Sequence, residues 1–177
     1  MSTTKATVQW FGRREEFEYA DSVAGYLLVA VRLLVGYWFL HSGWTKFAFV
    51  AGEPFNAGGY LQNASSPIAG LFEVVAGTPW LLEFTNVVIP LGEFLIGLGL
   101  ILGALVRLAA FFGGVLMTLF YLGNADWAHG YVNGDLLGLL MFVIIGVFAA
   151  GRILGVDASL EQLEFVQRRP WLRYLLG

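Results

Sequence analysis

Arg32-Leu-Leu-Val-Gly36-Tyr-Trp-Phe39-Leu-His41-Ser-Gly43-Trp-Thr-Lys46 sets a fixed positive charge inside a run over 22–42 that is otherwise apolar. A helix needs about 20 such residues to cross a bilayer, so the run reads as a membrane span. Arg32, Gly36, Phe39, Gly43 and Lys46 recur at 4, 3, 4 and 3 residues, which places them along one stripe of that helix. An arginine at mid-depth costs about 3 kcal/mol or more on insertion scales, so it turns inward and takes a partner. A group elsewhere in the chain must therefore answer Arg32.

Composition agrees with a membrane setting. The 177 residues are 58% hydrophobic and 13% charged, with a mean hydropathy of +0.70, whereas soluble domains carry about 25% charged residues. The chain has no cysteine, which excludes disulfides, iron–sulfur ligation and thiolate chemistry on it. A net charge of -3 gives no footing for nucleic acid. The segment ahead of the first run is long and acidic, with Glu15, Glu16, Glu18 and Asp21, which is unlike a signal peptide.

Taken in order, hydropathy predicts four spans, over 22–42 with helix continuing toward Val50, 84–105, 107–122 and 136–154. Residues 1–21 read as a polar N-terminal tail resting on the membrane surface, 22–155 as the transmembrane domain, and 156–177 as a C-terminal tail. Between the first two spans, Pro67 to Leu82 holds an apolar run too short to cross, an interfacial or re-entrant segment with Trp80 as an anchor. In the tail, Ser159-Leu-Glu-Gln162 resembles a capping box, and Leu160, Leu163 and Val166 among arginines suggest one amphipathic helix. The fold class is thus an all-α integral membrane four-helix bundle. Eight of the ten Lys and Arg residues fall in the tails, the turn between spans two and three and, as Arg152, the end of span four, so both termini are expected in the cytoplasm of a multi-pass cell-membrane protein.

Two groups of residues could carry chemistry. Arg32 and Glu93 each lie about ten residues into their spans from opposite ends, so at about 1.5 Å per residue they are expected at one depth, as an ion pair and the catalytic centre. His41 and Lys46 end the first span on the outer side, where Tyr121, Asn124 and His129 also gather. Polar groups backed by Phe39 and Phe120 suit a quinone head group, which needs hydrogen bonds at two oxygens and a flat apolar slot. A structural ion pair and an ordinary polar rim are the plain alternatives. A b-type haem on the two histidines is weighed against the glycine-flanked loop that holds His129. No motif for a metal site, a phosphate-binding loop or a serine triad is present.

Arg32-x3-Gly36-x2-Phe39-x3-Gly43-x2-Lys46, Glu93-x3-Gly97-x-Gly99-x3-Gly103-x3-Arg107 and Gly151-Arg152-x2-Gly155-x-Asp157 together resemble the DoxX/DoxD family. Pro90-Leu-Gly-Glu93 and Asn124-Ala-Asp126-Trp127-x-His129-Gly are closer to its DoxD branch. The resemblance implies a four-helix membrane bundle. It also implies the large subunit of a thiosulfate:quinone oxidoreductase, or a component of a membrane redox and detoxification complex. Without cysteine, electrons would arrive by direct contact or from a partner subunit.

The expected function is therefore a membrane subunit of a quinone-linked redox system, with quinone, membrane lipid and a partner subunit or second copy as its partners. Two other classes stand beside it. One is a non-catalytic scaffold or assembly subunit. The other is a small-solute transporter, which intramembrane charges also mark, although the chain shows no inverted repeat.

Overall fold

The computed structural model describes residues 3–64, 66–125 and 130–177. Three of its helices are long and apolar enough to cross a membrane: α1 (Asp21–Thr45), α5 (Pro79–Leu102) and α6 (Val106–Gly123). A shorter apolar helix, α7 (Gly134–Val147), joins them. The helices are apolar outside as well as inside. Leu34, Leu95, Phe111 and Val143 stand exposed, while Val35, Leu100, Met117 and Ile145 are buried. A helix apolar all round belongs in lipid.

Local sequence explains where the helices begin and end. Pro79 opens α5 at a position where its missing N–H costs nothing. Gly103 closes α5 at φ 68°, the left-handed conformation that glycine adopts without a side-chain clash. Asn133 caps α7, its Oδ1 accepting from Leu136 N at 3.0 Å. The expected span over 136–154 is helical only to Val147. Ala149 and Leu154 then turn at positive φ around a 3-10 turn, Ala150–Arg152.

The connection between α1 and α5 folds into α2 (Ala48–Ala51), α3 (Gly58–Asn63) and α4 (Ala69–Gly77). Their apolar residues Ala57, Leu61 and Phe72 make a small satellite core. The N-terminal residues, expected as a surface tail, instead pair as an antiparallel hairpin of β1 (Thr3–Trp10) and β2 (Arg13–Ala20), in register from Thr3↔Ala20 to Trp10↔Arg13. Threonine, valine and aromatic residues at period two flank a two-residue turn, Phe11-Gly12, with positive φ at both positions. The C-terminal segment is not the single amphipathic helix expected. It breaks into α8 (Asp157–Leu160), α9 (Glu164–Gln167) and a 3-10 turn, Pro170–Tyr174. Leu163 is extended, and Arg169, preceding Pro170, is driven out of the helical region.

Glycines set how the helices meet. On α1, Gly36 and Gly43 face Leu100–Ile101 and Pro90–Phe94 of α5, and Gly97 of α5 lies against the backbone of Leu40. A Cβ on Gly97 would collide with Leu40 and stand 2.7 Å from Gly36 O. Gly113 of α6 accommodates the Phe142 ring of α7, which meets Phe39 edge-on at 4.8 Å between centroids. Small residues at such crossings allow the close backbone approach that packs helices in lipid.

Gly97→Ala is expected to destabilise the detergent-purified protein by about 1–3 kcal/mol, the usual cost of overpacking. Gly92→Ala, in the same helix but with open space around it, should hold or raise the thermal midpoint, since alanine favours helix by up to about 1 kcal/mol. Size-exclusion chromatography after heating reads both.

Candidate functional site

The stripe on α1 ends in two separate polar centres. At one end, Arg32 is almost wholly buried. Its Nη1 donates to Ala150 O at 2.6 Å and Ile153 O at 2.9 Å, and its Nη2 to Leu154 O at 3.0 Å. These carbonyls belong to the turn that follows α7, where Ala150 O also accepts from Ile153 N at 3.4 Å, so the guanidinium sits among the carbonyl oxygens that follow a helix, where the helix end is negative. Gly103 and Gly155 let it in, because a Cβ on either would stand 2.9 Å from Nη1.

Asp157 completes this end. It is fully buried, and its Oδ1 accepts from Leu105 N at 2.7 Å while Oδ2 accepts from Val106 N and Gly177 N, both at 2.9 Å. It thereby caps α6, whose first residue is Val106. A Cβ on Gly151 would lie 2.5 Å from Asp157 Oδ2, so the Gly151, Gly155 and Asp157 pattern is a close-packed lock.

The expected Arg32–Glu93 ion pair does not form. Glu93 is salt-bridged to Lys46, Oε2 to Nζ at 2.5 Å, and also accepts from Ser42 Oγ at 3.0 Å. The reason is register. With Gly97 against Leu40 and Gly43 against Phe94, Glu93 comes level with 42–46, while Arg32 comes level with Gly103. Arg32 and Ser42 are ten residues apart on one helix, about 15 Å.

Lys46, Ser42 and Glu93 form a closed triangle. Lys46 Nζ spends its hydrogens on Glu93 Oε2, Ser42 Oγ at 2.6 Å and Ser42 O at 3.3 Å. Glu93 Oε1 takes no hydrogen bond among the described residues. All three side chains line a cavity of about 640 Å³ between α1, the α3–α4 segment, α5 and α6. Its walls are apolar, with Trp38, Phe39, Phe72, Val88 and Phe120. Tyr60, Asn124 and Asp135 add a second polar edge, where Asn124 Nδ2 donates to Asp135 Oδ2 at 2.8 Å. The Tyr60 hydroxyl has no hydrogen-bond partner among the described residues. Burial, and then the Asp135 carboxylate, hold its pKa above the ordinary tyrosine value.

Of the residues expected here, Glu93, Lys46 and Asn124 line the cavity. Arg32 does not. His41 is exposed and stacks on Tyr37 at 5.8 Å. Tyr121 hydroxyl donates outward to Tyr131 O at 2.9 Å. His129 lies outside the described residues. Sequence reasoning missed Ser42 and Tyr60. Ser42 stands one turn before Lys46, a spacing that was available, whereas nothing in the sequence marks Tyr60.

A family model, DoxX, matches residues 27–123. The chain belongs to the DoxX family. It is thus a multi-pass protein of a membrane family often tied to redox and quinone-related roles. The matched residues of this DoxX chain run from the first span through α6 and hold the Ser42–Lys46–Glu93 triangle, Tyr60 and most of the cavity wall. No curated protein and no solved structure matches the chain.

Lys46→Met leaves Glu93 buried and unpaired and is expected to cost about 3 kcal/mol. Adding Glu93→Leu should recover most of that loss in the same thermal assay. Asp135→Asn is expected to lower the pKa of Tyr60, read as phenolate absorbance against a Tyr60→Phe reference.

Proposed function

We propose that this protein is the membrane subunit of a quinone-linked redox system, with the 640 Å³ cavity as the head-group site. The supporting observation is that cavity's composition, an aromatic and aliphatic slot with polar groups at two edges. Its size lies within the range of about 300–1,000 Å³ usual for small-molecule sites. On this reading the chain crosses the cell membrane four times, α7 and the turn after it forming the fourth crossing, with both termini cytoplasmic and the cavity toward the outer side.

A quinone takes up two electrons and two protons when it is reduced. The residues suit both of its states. Tyr60, kept protonated by its raised pKa, offers a hydroxyl donor to a carbonyl oxygen of the oxidised ring. Glu93 Oε1 offers an acceptor to a hydroxyl of the reduced ring. Lys46 fixes the Glu93 carboxylate in place by pairing with Oε2. Ser42 keeps the two in place. Arg32 acts outside this site, through the position of α1.

The same lining disfavours thiosulfate inside the cavity. One cation, Lys46, faces two carboxylates, Glu93 and Asp135, and a dianion is repelled by that balance. If thiosulfate is the donor, it is oxidised on a partner subunit or at the outer surface, and this chain receives the electrons. A thiosulfate:quinone oxidoreductase of the DoxD type would then divide its two half-reactions between subunits.

A short-chain quinone and its quinol, titrated into the purified protein by calorimetry, test the site. Wild type is expected to bind both. Glu93→Gln should weaken the quinol by about tenfold, the worth of a hydrogen bond to a charged group, and Tyr60→Phe should weaken the quinone more than the quinol. Absence of binding to wild type, together with a stoichiometric partner recovered from native membranes, would favour the scaffold reading.

A further inference from the structure

A second concavity, of about 450 Å³, runs between α6 and α7 and shares no residue with the first. Its lining residues Phe111, Val115, Val143 and Val147 are exposed, so the groove opens on the face that meets lipid. Ala110, Gly114 and Gly146 leave its floor low. Thr118 at the far end is already satisfied, its Oγ1 donating to Gly114 O at 2.8 Å.

Arg107 stands at the near end, in the first turn of α6. Its Nε donates to Gly146 O at 3.3 Å. Its terminal nitrogens make no hydrogen bond or ion pair among the described residues. An unanswered guanidinium beside an apolar surface at the start of a span calls for an anion at the level of the head groups. More cationic chain lies close by. Leu108 N donates to Leu175 O at 3.2 Å, which fastens the segment after Pro170–Tyr174, with Arg173, beside this turn.

Length fits the same occupant. From Arg107 to Thr118 is eleven residues, about 16 Å of helix, and half of a hydrocarbon core is about 15 Å. A groove that starts at a cation and ends near mid-bilayer matches one acyl chain hanging from one phosphate.

We infer that the α6–α7 groove binds an anionic phospholipid of the leaflet facing the α5–α6 turn, with its phosphate on Arg107 and one acyl chain along Ala110, Gly114 and Gly146. This site is independent of the quinone reading.

Native mass spectrometry of the full chain, released from detergent containing equal phosphatidylglycerol and phosphatidylcholine, tests it. Wild type is expected to retain one phosphatidylglycerol in preference, and Arg107→Gln to lose that preference by about tenfold. Gly114→Leu, where a Cβ meets only Leu139 Cδ1 at 3.6 Å, adds bulk to the groove and should reduce retention of both lipids. Unchanged thermal midpoints and unchanged quinone titrations in both variants confine the effect to the groove. An equal lipid preference in Arg107→Gln, equal retention in Gly114→Leu, or a wild-type dimer that Gly114→Leu dissociates in place of lipid would overturn the assignment.

Discussion

The three hydrogen bonds from the Arg32 guanidinium to the carbonyls of Ala150, Ile153 and Leu154 are the contact on which the remaining geometry depends. In hydrocarbon every backbone polar group must find its partner within the protein. The chain leaves α7 at Val147, well short of a full crossing, and the irregular turn that follows needs donors. Arg32 supplies them from inside α1. Asp157 performs the reciprocal service, accepting the free N–H groups at the start of α6. One cation and one carboxylate thus satisfy opposite kinds of backbone group, and fasten α1, the α5–α6 turn and the segment after α7 to one another.

With that end occupied by structure, the polar groups at the other end of the stripe are the ones left for a ligand. Glu93 is paired with Lys46 at one oxygen and open at the other, beside aromatic walls. The polar residues and glycines of the bundle therefore divide between two tasks. Arg32, Gly103, Gly155 and Asp157 serve the lock. Ser42, Lys46 and Glu93 serve the cavity, and Gly36, Gly43 and Gly97 hold α1 and α5 at the distance that keeps the two tasks apart.

Hydropathy made the three long helices legible, because the length and apolarity of a span are properties of the sequence itself. The stripe on α1 was legible for the same reason, and Gly36, Phe39 and Gly43 do face inward along it. What could not be read was the register of α1 on α5. Counting residues from the span ends put Arg32 and Glu93 at one depth, but register is fixed by which backbone atoms Gly43 and Gly97 admit. α5 also begins five residues earlier than expected, at Pro79. His41 was misplaced because the stripe passes through Gly43 and leaves it on the outer face. The hairpin was present as a period-two pattern around Phe11-Gly12, hidden by the charges among its residues. Tyr60 belongs to a short helix positioned only by tertiary contacts.

Both polar centres are carried by α1, which runs without a break from Asp21 to Thr45. Mechanically it is a rod with a latch near its middle and another at its C-terminal end. Sliding it by one residue, about 1.5 Å, would release Arg32 from its carbonyls and Lys46 from Glu93 together. Access to the cavity through motion of α1 is therefore coupled to undoing the far end of the bundle. The wall made by α3 and α4 is tied to the bundle by other contacts, Ala57 N donating to Asn86 Oδ1 of α5 at 2.8 Å and the Tyr60 ring meeting Phe120 of α6 edge-on, and these do not pass through α1.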